Sequence, residues 1–383
     1  MGTYLVLDLE TSIKNRGSES IGSMKASPWY PLNKIVMAGS LKESGSAVTI
    51  KEYPNLDDPA IPESIDIIIG HNIKFDCHYM MRDSESFRDA LVRLQIWDTQ
   101  LAEYILSGQT MLYPSLDQCS EKYGGVLKDD RIKEYWEDGV DTEDIPEEQL
   151  QEYLVHDVEN THLVFLAQLE KAVKMDMLPL IKSQMKALKA TIEMEYNGMH
   201  FDSEVAEMHS DLLRDDLTDV EARVYAYMEG CGIQGANPHS GVHVGLLLFG
   251  GVQTVKEYKP YKDEDGEWVV LKSDGKSGKK GDKRLKKQDV NTLIAGKYMG
   301  KGSETASGKW KVDDETLGKL KGFVVEDIQQ MRTLKKDIST YYEGYSKLVW
   351  PDGVIHHSLN HCATATGRLS STKPNFQNVT SSE

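Results

Sequence analysis

The stretch "TYLVLDLE", residues 3–10, limits what this chain can become. A nearly continuous apolar run of this length reads as a strand buried on both faces. It ends in two acids, Asp8 and Glu10. Their i, i+2 spacing puts both carboxylates on one face of the strand. Two such groups repel, and burying them is costly unless a cation neutralises them. Acids at strand ends also serve as caps or lie on the surface, so the company they keep decides. Ligand sets made only of oxygen select hard cations such as Mg²⁺ or Mn²⁺.

The surrounding pattern is α/β. "NKIVMAGSL" and "AVTIKEY" read as further strands, and their short links favour antiparallel neighbours. "SIDIIIGHN" is another fully buried strand. Helical periodicity dominates from Phe75 to Leu169, including "WDTQLAEYIL", "SLDQCSEKY" and "EEQLQEYLVHDVENTHLVFLAQLEK". Asp98 and Ser115 stand where N-caps would, and Pro146 falls in a first helical turn. Two further acids join the first pair. Asp76 follows the "IIIG" strand, with Asn72 four residues before it. "EYLVHDVEN" supplies Tyr153 and Asp157, spaced i, i+4 on one helical face.

Composition excludes several classes. The net charge is −17, so nucleic-acid binding requires a local basic patch acting against the global field. The four cysteines are scattered without a CxxC pair, which fits a reducing compartment and neither a disulfide framework nor a zinc site. The N-terminus runs straight into a strand pattern, unlike a signal peptide. No apolar run approaches the ~20 residues of a membrane span. A cytoplasmic protein is expected.

A second part starts near Met177. "LPLIKSQMKALKATIEMEYNGM" reads as a long amphipathic helix stopped by Asn197-Gly198, followed by another over Ser203–Tyr227. The run from Leu271 to Lys287 is rich in Gly and Ser, with eight basic residues against Asp274 and Asp282, a net charge of +6. A solvated flexible loop is one reading. A phosphate-contacting surface carried by Lys279, Lys280, Lys283 and Arg284 is the other. Helical pattern returns in "DDETLGKLKGFVVEDIQQMRTLKKDISTYYEGYSKLV", and "PDGVIHHSLN" reads as a turn into a strand.

Taken in order, D-x-E, N-x-x-x-D and Y-x-x-x-D resemble the 3′→5′ exonuclease domains of the DEDDy class, which have a ribonuclease-H-like fold. "SPWYPLNKIVMAG", "WDTQLAEYIL" and "SLDQCSEKYG" extend the match to the proofreading domain of family A, polymerase-I-like DNA polymerases, those of bacteriophages in particular. The resemblance implies that Asp8, Glu10, Asp76 and Asp157 hold two divalent metal ions and that Tyr153 positions the attacking water. Asn72 and Phe75 would line the single-stranded 3′ end. Such a pair of ions, about 3.5–4 Å apart, supplies a hydroxide nucleophile and stabilises the leaving alkoxide.

The second part resembles the same family. "EMEYNGMHFD" is similar to the helix that opens the polymerase region, and "NPHSGVHVGLLLFG" and "SGKWKVDDETL" are similar to thumb segments. "TATGRLSSTKPNFQN" matches the signature T-x-T-G-R-L-S-S-x-x-P-N-x-Q-N, which begins the palm. The match implies that Arg368 reaches the primer-template, with Thr366, Asn375, Gln377 and Asn378 nearby. The expected organisation is an exonuclease domain over 1–176, a mostly α-helical thumb region over 177–350 with a basic insertion at about 256–311, and the start of a palm over 351–383.

The family continues with I-P-x-R, whereas this sequence reads "VTSSE". The palm is therefore expected to be incomplete, and its first strand to lack a sheet to join. The exposed edge would be covered by a second polypeptide carrying fingers and the remaining palm, including the polymerising carboxylates. The expected function is thus an N-terminal subunit or fragment of a DNA polymerase, active as a Mg²⁺- or Mn²⁺-dependent exonuclease. It would act on single-stranded 3′ ends and primer-template duplex, in the host cytoplasm if the source is a bacteriophage. The alternative is a free-standing 3′→5′ exonuclease with a DNA-binding module.

Overall fold

The computed structural model describes residues 2–17, 21, 24–42, 47–52, 61–126, 131–269 and 285–379. Lys279, Lys280, Lys283 and Arg284 lie outside the described residues. The chain divides into two compact units, residues 1–203 with 344–383, and residues 204–343. Among the described residues, no helix is long and apolar enough to cross a membrane.

The first unit is built on a five-stranded sheet. Strand β1 (Tyr4–Thr11) pairs antiparallel with β2 (Ile35–Lys42), and β2 antiparallel with β3 (Thr49–Glu52). Strand β4 (Ile67–Gly70) lies parallel to β1, and β5 (Gln95–Asp98) parallel to β4, giving the order β3-β2-β1-β4-β5. The antiparallel pair β2–β3 matches the short link between them in the sequence, while β1 pairs with β2 across the longer stretch 12–34. Strand β5 interrupts the stretch after Phe75 in which helical periodicity dominates. Its four residues, "QIWD", are too few to show a period, and parallel pairing with β4 outweighs local helical preference.

Helices α1 (Lys74–Asp83) and α2 (Glu85–Arg93) lie between β4 and β5, and α3 (Thr99–Leu106), α4 (Leu116–Tyr123) and α5 (Arg131–Glu137) follow β5. Asp98 caps α3, and Ser115 caps α4 in a reciprocal box with Gln118. Helix α6 (Glu147–Lys174) starts at Pro146, which occupies the N-cap position and not the first turn. Helix α7 (Leu178–Asn197) ends at Gly198 with φ 55°. A Cβ on Gly198 would stand 2.7 Å from the Ile355 carbonyl oxygen, so this stop demands glycine.

The apolar face of α7, with Ile181, Met185, Leu188 and Ile192, is buried in the core of the first unit. The compact units therefore part after α7. Burial decides this: a chain segment belongs to the core that takes up its apolar stripe.

Strand β6 (Met199–His200) closes the first stretch of this unit. In the second unit, helices α8 (Ser203–Gly230), α9 (Gly241–Phe249), α10 (Asp314–Gly318) and α11 (Phe323–Lys336) surround a core of Val224, Leu247, Leu248, Ile328 and Met331. A nine-pair antiparallel ladder joins β7 (Gly251–Lys259) to β10 (Lys286–Ile294), with the short pair β8 (Tyr261–Lys262) and β9 (Trp268–Val269) between them. The expected mostly helical thumb thus carries a hairpin. The apolar residues of "VQTVKEY", Val252, Val255 and Tyr258, recur every third position, so no period-two alternation marks the strand in the sequence.

The first unit resumes with β11 (Val354–Ile355), β12 (Ser358–Asn360) and β13 (Ser370–Thr372). Strand β11 pairs with β6, and β12 pairs with β13. The strand before "TATGR" thus pairs along one edge with β13, as the chain folds back on itself across the motif into a two-stranded ladder.

Helix α6 lies on β1 and β2, and glycine makes the close approach possible. Gly39 pairs with Asp8 in the β1–β2 ladder. A Cβ there would meet Leu154 Cγ and Val158 Cγ2 of α6, both at 2.9 Å. Gly39→Val should therefore overpack this seat and lower the unfolding free energy by about 1–3 kcal/mol. Chemical denaturation measures it; an unchanged midpoint would show that the helix does not sit this close.

Candidate functional site

The site grows from the C-terminal end of β1. Strand β4 pairs with β1 only from Tyr4 to Val6, so β1 continues alone on that side. The sheet opens there, as parallel sheets do where a ligand crevice forms. The backbone N–H of Leu9, beyond the last β4 pairing, donates to the Asp76 carboxylate. On the other side the β1–β2 register shifts after Glu10, with Met37 opposite Glu10 and Ile35 opposite Thr11. Such a bulge re-aims nearby side chains.

Asp8 and Glu10 meet Asp157 of α6, and one ligand oxygen from each lies within 4.8 Å of the others. Glu10 is 6% exposed, Asp157 5% and Asp76 3%, while Asp8 is half-buried. Asp76 stands outside this trio but close enough to feel Asp8. Burial, and next the Asp8 charge, push the Asp76 carboxyl well above the ordinary carboxylate range. The arrangement fits a divalent cation: hard oxygen donors, mutual repulsion, and little water to screen it.

Helix α6 is tied down along its length. Tyr4 Oη and His162 Nε2 share a hydrogen bond at 2.9 Å. Gln168 accepts from Trp97 Nε1 at 3.2 Å and donates to the Thr99 carbonyl at 2.8 Å. Tyr153 lies one turn before Asp157, half-buried, with its ring edge-on to Trp136 at 5.9 Å.

Asn72 sits at φ 55° in the turn between β4 and α1, exposed, and Phe75 packs edge-on to Tyr79 at 5.3 Å. Both line a cavity of about 390 Å³ together with Trp29, Lys74, Tyr113 and Asn360.

The second group of expected residues is not part of the carboxylate cluster. Thr366, Arg368, Asn375, Gln377 and Asn378 are all exposed. Thr364 Oγ1 accepts from the Arg368 N–H at 3.1 Å and donates to the Arg368 carbonyl at 3.0 Å, closing a tight turn around Gly367. Tyr104 Oη donates to the Thr364 carbonyl at 2.7 Å and fastens the turn to α3. Gln377 Nε2 donates to the Leu369 carbonyl, and Asn375 Oδ1 accepts from the Gln377 N–H.

Residues 285–383 match the family model of DNA polymerase family A. The chain is related to the family A DNA polymerases. It is 24% identical to the DNA polymerase of Bacillus phage SP01, over 98% of this chain and 43% of that protein. It is 26% identical to DNA polymerase I of Synechocystis sp., over 74% of this chain and 24% of the relative. The thermostable DNA polymerase I of Thermus aquaticus is 49% identical across 57 residues, 15% of this chain and 7% of that protein. The chain thus spans less than half the length of these polymerases. The fold is similar to the POL domain of Pol1 from M. smegmatis, solved with DNA primer-template and dNTP. That likeness has a TM-score of 0.57 at 16% identity and covers 99% of this chain and 52% of the other. The match to the family model includes "TATGR", while the carboxylate cluster lies N-terminal to it.

Sequence reasoning missed two contributors. Gly39 carries no chemistry, and its signal is only a small residue within an apolar strand. Asp98 was legible as a cap, but not as a partner of the Asn72 turn.

A cation at this cluster should stabilise the protein, and removing its charges should do so in the cation's absence. Asp8→Asn with Glu10→Gln should relieve repulsion on the order of 1–3 kcal/mol. The melting temperature in EDTA should rise by roughly 2–4 °C for each kcal/mol relieved, while the Mn²⁺-induced rise disappears. In the metal-free wild type the folded Asp76 carboxyl titrates above its unfolded value. Its stabilising contribution is present in acid and lost as pH rises through the folded value. Mn²⁺ affinity should strengthen over the same window. Melts in EDTA and in Mn²⁺ decide; a double variant that still gains stability from Mn²⁺ contradicts the site.

Proposed function

We propose that the N-terminal region, residues 1–176, is a ribonuclease-H-like 3′→5′ exonuclease domain of the DEDDy class. It removes nucleotides from the single-stranded 3′ end of DNA, as the proofreading part of a family A DNA polymerase. The observation that carries the reading is the meeting of Asp8, Glu10 and Asp157, from a strand and a distant helix, with Asp76 beside them.

In this reading Asp8, Glu10, Asp76 and Asp157 hold two divalent ions, Mg²⁺ or Mn²⁺. Bound there, the ions supply hydroxide at neutral pH and neutralise the departing 3′ oxygen. The protein's own part is to keep four carboxylates in place before the ions arrive, which α6 and the β1 bulge support. Tyr153 orients the attacking water by hydrogen bonding; a phenol, with its ordinary pKa near ~10, stays protonated and is no strong base. Asn72 and Phe75 hold the terminal nucleotides, Phe75 offering a ring face or edge to a base. The terminal P–O3′ bond breaks, and the water oxygen remains on the phosphorus of the released nucleotide.

Asp8→Ala with Glu10→Ala should lower the rate on a 3′-extended primer by at least about 10³, since several kcal/mol of transition-state stabilisation are lost. Wild-type digestion should need Mg²⁺ or Mn²⁺ and stop with chelator. A gel assay showing equal digestion by the double variant would remove the assignment.

The same proposal gives Arg368, with Thr366, Asn375, Gln377 and Asn378, a contact with primer-template duplex near the primer terminus. The planar fork of Arg suits phosphate or base acceptors. The basic run with Lys279, Lys280, Lys283 and Arg284 adds salt-dependent duplex affinity through its charge. Arg368→Ala should weaken primer-template binding about ten- to a hundredfold, the value of one charge-assisted contact, and leave single-strand digestion near wild type. Fluorescence anisotropy with a labelled primer-template reads this, and unchanged affinity refutes the contact. A second polypeptide supplying fingers and palm belongs to the same proposal; primer extension with and without such a chain tests it.

A further inference from the structure

Asp98 is the last residue of β5 and the N-cap of α3. Its carboxylate does more than cap that helix. Oδ1 accepts from the Gln100 N–H at 2.8 Å and the Leu101 N–H at 3.1 Å, both in the first turn of α3. The same oxygen accepts from the Asn72 N–H at 3.3 Å, and Oδ2 from the Ile73 N–H at 3.1 Å. These last two amides lead into α1, whose own N-cap residue, Ile73, makes no side-chain cap. One buried carboxylate therefore serves the starts of two helices.

The turn it holds is unusual. Asn72 adopts φ 55°, a left-handed conformation that a residue other than glycine keeps only when its surroundings impose it. Thr99 adds a second tie, donating through Oγ1 to the Gly70 carbonyl at 3.2 Å and bonding His71 Nδ1 at 2.9 Å. Directly after this turn come Phe75 and Asp76. The start of α1 thus sets where Asp76 meets the Leu9 N–H and the Asp8 charge.

We propose that Asp98 is a positioning residue for the carboxylate centre: by holding the Asn72 and Ile73 amides it sets the first turn of α1, and through it Asp76. The activity half of this inference rests on the exonuclease reading; the structural half does not. The competing account is that Asp98 only caps α3.

Asp98→Ser separates the two. Serine is a good N-cap, so α3 keeps its start, but its shorter side chain cannot also span to the Asn72 turn. Hydrogen exchange of the intact variant should quicken about tenfold or more over residues 71–76 and stay at wild-type rates over strand β2, residues 35–42. The kcat for single-stranded DNA should fall about ten- to a hundredfold, the usual effect of losing a partner that orients a metal ligand, and half-saturation should need more Mn²⁺. A role limited to capping α3 moves none of these. Wild-type exchange at 71–76 together with wild-type kcat overturns the proposal. So does faster exchange throughout, including 35–42, which would make Asp98 a general prop of the fold. If the wild-type protein itself shows no metal-dependent digestion, the exonuclease reading fails, and the exchange comparison still decides the role of Asp98.

Discussion

The seat of α6 on β1 and β2 is the contact on which the rest of the first unit depends. Asp8 and Glu10 belong to a strand, and Asp157 lies about a hundred and fifty residues further on, in a helix. The two elements come together because Leu150, Leu154, Val158 and Phe165 bury an apolar stripe against the sheet. Each such side chain is worth about 1.5–3 kcal/mol when fully buried, and together they outweigh the repulsion of carboxylates brought side by side. Gly39 sets the distance. With no Cβ opposite Asp8, the helix approaches closely enough for its own acid to join the strand's pair.

A second constraint is the opening of the sheet. Strand β4 leaves β1 after Val6, and the chain turns at once into α1. The N–H of the buried Leu9, past the end of that pairing, finds its acceptor in Asp76. Satisfying a strand edge and assembling an acidic centre are here one event. Asp98 stands behind this turn and carries four amide donors on one carboxylate. Burial nonetheless raises its pKa to about 6, because the donors offset only part of the cost of desolvating a charge.

The segment containing "TATGR" is fastened to the same unit by polar contacts. Glu195, buried on α7, accepts from Lys74 Nζ at 2.7 Å and from the Leu359 N–H at 2.5 Å. Lys74 also donates to the Leu359 carbonyl at 3.0 Å. Helix α1, helix α7 and strand β12 therefore meet at one ion pair. This junction, with the apolar stripe of α7, explains why residues 178–203 belong with the sheet and not with the helices that follow.

Local information in the sequence determined much of this protein. The apolar runs of β1 and β4 and the caps and stops of α3, α4 and α7 were readable because each depends on neighbours within a few residues. The pairs Asp8/Glu10 and Tyr153/Asp157 were readable because a strand has period two and a helix nearly four. The signature around Arg368 was readable because a motif is itself local. Tertiary structure decided what depends on distance in space. Four residues of β5 became a strand only because β4 lay open beside them. "VQTVKEY" and the residues after Lys286 found each other across an intervening basic run. Strand β12 found β13 across the motif. Gly39 and Asp98 acquired their roles only when α6 and the Asn72 turn arrived against them. A sequence records which groups a chain owns; which of them share a few ångströms is decided by the burial of apolar faces, which no short stretch contains.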